Sequence, residues 1–241
     1  MMKSKYYYGP IRSRRLGRSL GVDVIPFKTC SLDCIYCECG PTNCSTLERK
    51  EYFPTAEIIR SLDSCLKSKP ALDFITFAGS GEPTLHSGLG KIISFLKESY
   101  PQYQVAVITN ATLLQDDQVI RDLQKADLII PSLDAVSREA FEKINRPMTG
   151  LSPETIISGI QNLKENFSGD IWLEIFLVPG INDTQEELAL FKEVLEKLGI
   201  RKVQLNTLDR PGVVDWIQPI SKEEMERIAS SLGNVEIVRK L

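Results

Sequence analysis

The sequence predicts an α/β domain whose sheet is mostly parallel, and three observations carry that prediction. Six short runs rich in Val, Ile and Phe are nearly continuous in apolar character, as strands buried on both faces are. Amphipathic stretches of helical period separate them. The alternation runs through 241 residues with no internal repeat, long linker or break in composition. Parallel strands joined by right-handed crossovers satisfy that pattern. The architecture is then a partial barrel or an open doubly wound sheet in a single domain, 1–241. Either places its site at the carboxyl ends of the strands.

The first 19 residues are polar and basic, with Arg12, Arg14, Arg15 and Arg18 close together. Strands are expected at LGVDVI (20–25), DFITFAG (73–79), QVAVITN (104–110), DLIIPSLD (127–134), WLEIFLVPG (172–180) and KVQLNTL (202–208). In FPTAEIIRSLDSCLKS, the residues Ile58, Leu62, Cys65 and Leu66 share one helical face, so Cys65 belongs to the core. Ser152 before Pro153 reads as a helix start. Asp183 with Glu186 is expected to open the next helix and Gly199 to close it; Ser221 with Glu224 opens the last. Unusual polar residues fall at the strand ends: Gly79-Ser80-Gly81-Glu82, Thr109-Asn110, Ser132 with Asp134, and Asn206.

Composition narrows the function. The net charge of -3 gives no global field to attract nucleic acid or membrane. The polar, basic start lacks the apolar segment of a signal peptide, and no apolar run approaches the roughly 18 residues of a membrane helix. A cytoplasmic protein is expected, with reduced thiols, so disulfides are excluded.

Five of the six cysteines lie in KTCSLDCIYCECGPTNC, within a loop expected over 26–46. Cys30, Cys34 and Cys37 are spaced C-x3-C-x2-C. A structural zinc site wants four tetrahedral ligands, usually in two C-x2-C-like pairs, and no second pair exists here. Three thiolates on one short loop suit three corners of a [4Fe–4S] cube, leaving one iron open. Cys39 and Cys44, later in the same stretch, read as spare thiols, with ligands of a second cluster or redox-active thiols as the alternatives.

With Tyr36 just before the third cysteine, Cys30-Ser-Leu-Asp-Cys34-Ile-Tyr36-Cys37 resembles the cluster loop of the radical S-adenosylmethionine (SAM) superfamily. The resemblance implies a (β/α)6 partial TIM barrel. It also implies a cluster whose open iron chelates SAM, and reductive cleavage of SAM to a 5′-deoxyadenosyl radical. It casts Gly79, Ser80, Gly81 and Glu82 as the turn that receives the SAM amino group, with Tyr36 and Asn110 nearby. Ser132, Asp134, Glu174 and Val178 are cast as contacts to ribose and adenine. A low-potential donor of flavodoxin or ferredoxin type is implied as partner.

The combination of GPIRSRRLGRSLGVDVIPFKTCSLDCIYC, ITFAGSGEPTLH, PSLDA, INRP and VQLNT is similar to stand-alone radical SAM proteins related to the wyosine-base synthase of tRNA. That likeness points to an RNA base as one candidate substrate. The arginine cluster, His86, Asn206 and Arg210 are the candidate substrate-binding residues. A glycyl-radical activase and a non-catalytic iron–sulfur carrier are the alternatives.

Overall fold

A computed structural model of the chain describes residues 2–238. The strands are β1 (Met2–Lys3), β2 (Tyr7–Ser13), β3 (Gly17–Val22), β4 (Thr29–Cys30), β5 (Cys44–Ser45) and β6 (Phe74–Phe77). They continue as β7 (Gln104–Thr109), β8 (Leu128–Pro131), β9 (Asp170–Phe176), β10 (Lys202–Asn206) and β11 (Val235–Ile237). The helices are α1 (Thr55–Leu66), α2 (Leu89–Ser99), α3 (Asp117–Leu123), α4 (Arg138–Asn145), α5 (Pro153–Asn166), α6 (Gln185–Leu198) and α7 (Lys222–Leu232). None is long and apolar enough to cross a membrane.

All six expected strands form, and they lie in the order β3-β6-β7-β8-β9-β10, every neighbouring pair parallel. Each is followed by helix, giving the six β/α units of a partial TIM barrel. The sheet extends further at both edges. β11 adds a parallel strand beside β10, too short to show as an apolar run.

At the other edge, β1 and β2 pair antiparallel before β3. The basic amino-terminal segment is thus part of the sheet and not a solvated arm. Its Gly9-Pro10 hides the strand from pattern reading, and the ladder shifts register between Tyr8 and Ile11 to accommodate it.

Alternation along the strands divides the core. Val105, Val107, Ile129, Leu173, Ile175, Val203 and Leu205 face the helices and join the main cluster with Ile58, Leu62, Cys65 and Leu66. The other face lines the barrel interior, where Ala106, Leu128 and Ile130 meet Leu16 from the β2–β3 turn. Between β3 and β6, Ser19 Oγ and Thr76 Oγ1 share a 2.7 Å hydrogen bond. Helix ends follow the sequence with one correction. Ser152 and Ser221 cap α5 and α7, and Gly199 closes α6 in the left-handed region. The cap of α6 is Thr184, whose Oγ1 accepts from Glu187 N; Asp183, one residue earlier, accepts from Gly180 N.

Candidate active site

The cysteine loop leaves the carboxyl end of β3 and is closed at its base by β4 and β5, with Thr29 opposite Cys44 and Cys30 opposite Ser45. Cys37 N donates to Cys34 O, and Gly40 N to Cys37 O, winding the loop tightly. Its middle rests on the end of α4: Asp33 N donates to Asn145 O and Ile35 N to Ile144 O.

Each of the three spaced cysteines has one side-chain N–H donor at sulfur, and each such donor comes from a different part of the fold. Lys28 Nζ lies 3.1 Å from Cys37 Sγ, Asn110 Nδ2 3.4 Å from Cys30 Sγ, and Asn145 Nδ2 3.3 Å from Cys34 Sγ. Such donors favour sulfur that carries negative charge. Burial alone acts in the other direction. It holds the Cys34 thiol well above its ordinary pKa, aided by Asp134, and pushes Cys30 up to about 11, aided by Glu82. Cys37 is drawn down to about 5, first by its hydrogen bond with Cys39 and then by Lys28.

Among the described residues, no three Cys, His, Asp or Glu side chains converge closely enough for one metal ion. The sulfurs and their donors fit an iron–sulfur cube better than zinc.

The glycine turn after β6 is pressed against this loop. Lys28 N donates to Ser80 O at 2.7 Å, and Glu82 N to Thr29 O at 3.1 Å. A Cβ on Gly81 would stand 2.0 Å from the Thr29 carbonyl oxygen, so only glycine fits there. Gly79 has φ +147, again a glycine conformation. Ser80 N and Oγ both donate to Asp23 Oδ2, from a residue just past β3 that pattern reading passed over.

Glu82, expected to meet SAM, is buried and carries four protein donors. Thr84 N, Thr84 Oγ1 and Thr109 Oγ1 reach its Oε1, and Asn110 N reaches Oε2. It clamps the turn to the end of β7. Asp134, expected at the ribose, is likewise taken: Tyr36 Oη and Asn145 Nδ2 donate to its Oδ2, and Phe176 N to its Oδ1. The Tyr36 ring lies flat on Phe176, with centroids 3.8 Å apart.

The model of the radical SAM superfamily matches residues 24–191, which include this loop, the turn and strands β6 to β9. The chain belongs to the radical SAM superfamily. Among relatives of this radical SAM enzyme, the UPF0026 protein of Methanocaldococcus jannaschii is 33% identical over 230 residues, 95% of this chain and 71% of that protein. A protein of Brachyspira hyodysenteriae named GTPase Obg is 40% identical over 226 residues. Those residues are 94% of this chain but only 33% of that protein, so the chain spans a third of its length.

Solved structures agree in fold. A radical SAM methyltransferase from Sphaerobacter thermophilus superposes with TM-score 0.71 at 16% identity, over 91% of this chain and 65% of that one. TYW1 with a lysine-pyruvate adduct bound gives 0.64 at 18% identity, over 89% and 72%.

The remaining expected residues of the radical SAM site divide. Ser132 ends β8 beside Asn110, Asp134 and Asn145 along one narrow cavity, and its hydroxyl has no partner among the described residues. Glu174 is ion-paired with Arg15 from the β2–β3 turn. Val178 is fully buried, in an apolar cluster with Ile35, Phe176 and Leu208. Asn206 is buried and its Oδ1 accepts from Thr207 N, serving its own turn.

His86 is fully buried: its Nε2 meets Phe53 O, and its Nδ1 accepts from Gly88 N. Arg210 pairs with Glu38 at 3.0 Å, while Val213 N donates to Ile35 O, so residues 210–213 strap the cysteine loop.

The arginine cluster holds together only in part. Arg14 lies 3.7 Å from Asp209, and Arg15 is committed to Glu174. Arg12 and Arg18 remain exposed, directly opposite each other across β2 and β3. They border a groove of about 720 Å³ with Arg14, Arg15 and Asp73, and no residue of the cysteine loop lines it. Lys28 and Asn145 were missed in the sequence. The only signal was their place: Lys28 lies two residues before Cys30, and Asn145 within the INRP run.

Proposed function

We propose that Cys30, Cys34 and Cys37 hold one [4Fe–4S] cluster whose open iron takes SAM, and that the enzyme modifies a substrate not identified by the site, an RNA base among the candidates. The observation that carries the cluster reading is the set of three N–H donors, one on each cysteine sulfur. When bound and reduced, the cluster and SAM supply a 5′-deoxyadenosyl radical.

The chain's own share is to position, screen and bind. Asn145 and Asn110 hold the buried sulfurs of Cys34 and Cys30 in place, and Asn145 is itself fixed by Asp134. Glu82 locks the glycine turn, leaving its backbone and the Ser132 hydroxyl as the groups offered to SAM. The strap at 210–213 and the Tyr36–Phe176 stack cover the loop and keep water from its apolar side. Arg12 and Arg18, like charges directly opposite each other, suit an anion such as an RNA phosphate, held at the amino ends of β3 and β6 and apart from the cysteine loop. A donor of flavodoxin or ferredoxin type in the cytoplasm supplies the electron.

Anaerobic reconstitution tests this reading. About four irons per chain are expected, with an electron paramagnetic resonance (EPR) signal of the reduced protein that changes when SAM is added. Uptake of a single zinc, or a signal indifferent to SAM, contradicts it.

A further inference from the structure

Lys28 is only 3% exposed. A buried ammonium is costly unless an anion or a strong acceptor meets it. Among the described residues no carboxylate pairs with Lys28, and its Nζ has one side-chain partner, Cys37 Sγ at 3.1 Å. The groups that favour its charge are Cys37, Cys30 and Cys34, all three expected ligands.

The backbone of Lys28 is equally committed. Its φ of 56° lies in the left-handed region, which a long side chain adopts only when its surroundings hold it there. Three bonds do so. Lys28 N donates to Ser80 O, and Lys28 O accepts from Asn43 N and Cys44 N. The residue is therefore clamped between the glycine turn and the β4–β5 ladder, with its stem directed at the cysteines. Strain and a buried, otherwise unmatched cation coincide at one position. The other two sulfurs have neutral amide donors, from Asn110 and Asn145.

We infer that Lys28 is the fixed counter-charge of the cluster ligands and, with Asn110 and Asn145, sets the cluster's reduction potential. This rests on the reading that the three cysteines hold a [4Fe–4S] cluster. One electron from the external low-potential donor makes the cluster more negative by one charge. A cation beside a ligand sulfur favours that reduced state, and net charge and hydrogen bonds to sulfur are the levers a protein has on such a potential. Lys28 would thus make the cluster easier to reduce by a physiological donor. As a positioning residue it acts through the sulfur of Cys37.

The test is an anaerobic redox titration followed by EPR on reconstituted wild type, Lys28→Arg and Lys28→Met, with iron content and thermal unfolding recorded beside it. Lys28→Met is expected to bind iron and to become harder to reduce, by at least tenfold in the reduction equilibrium, or 59 mV for one electron. Lys28→Arg is expected to stay close to wild type. Loss of the cluster in Lys28→Met alone, with the fold intact, also supports the inference, because Met lacks both the charge and the N–H donors that Arg keeps. An unchanged potential in Lys28→Met overturns it, as does cluster loss in both variants. An unchanged potential with weakened SAM binding overturns it too, by assigning the ammonium to SAM. Failure of wild type to take up about four irons is a different result, and strikes the cluster reading itself.

Discussion

The hydroxyl of Tyr36 donates to Asp134 Oδ2 at 2.5 Å, joining the cysteine loop to the end of β8 across 98 residues of sequence. Asn145 and Phe176 N bond the same carboxylate, so Asp134 ties the loop, α4 and β9 at one point. Asp134→Ala leaves three buried donors without an acceptor, and a loss of about 3 kcal/mol or more is expected in urea unfolding. Tyr36→Phe keeps the stack on Phe176 and removes one bond, for a loss of about 1–2 kcal/mol. Iron uptake by Asp134→Ala should fall as well, since Asn145 loses the anchor that aims it at Cys34. Full stability and iron content with weakened SAM binding would make Asp134 a ligand contact instead.

His86 gives a pH dependence of stability. Burial holds its pKa below the ordinary 6.5, and its Nδ1 must be unprotonated to accept from Gly88 N. Between the lowered folded value and 6.5 the unfolded chain binds the extra proton, so stability rises with pH there. The contribution is present above about 6.5 and is lost as pH falls through the folded value. Urea midpoints of wild type should decline over that window more steeply than those of His86→Gln. Equal slopes would show that other groups govern the acid limb.

Cys39 and Cys44 are not expected to hold iron. Cys44 is exposed on β5, and Cys39 Sγ lies 3.5 Å from Gly79 O, beside Cys37. The Cys39→Ala, Cys44→Ala double variant should therefore keep its full iron content, whereas single replacement of Cys30, Cys34 or Cys37 should lose it. A fall of about half in the double variant would instead point to a second cluster.

If Arg12 and Arg18 grip phosphates, binding of any RNA must weaken steeply as salt rises, through counterion release. Replacing both by Ala should lower the slope of log affinity against log salt by about one per arginine. No binding at low salt, or a slope indifferent to the double replacement, removes RNA from the candidates.

Much of this was legible from sequence, for reasons that differ by element. The strands from β6 to β10 are apolar on both faces, so they show as continuous runs. The cysteine spacing is local and survives without any knowledge of the fold. β2 was hidden because Gly9-Pro10 and exposed arginines break its pattern. Glu174 was placed on the fifth expected strand, and Glu82 and Asp134 just past strand ends, and they lie there. Their partners (Arg15, Thr109 and Tyr36) come from distant segments, which no spacing rule connects. The same holds for Asn145, which reaches Cys34 across 111 residues.

The most direct test of the whole account is SAM cleavage by the reconstituted protein, without oxygen, with a strong reductant, and with Cys34→Ala as control. The account predicts 5′-deoxyadenosine from the wild-type protein, requiring both SAM and reductant, and only background from the variant. Wild-type protein that carries its cluster, accepts the electron and still yields no nucleoside above the variant would contradict it.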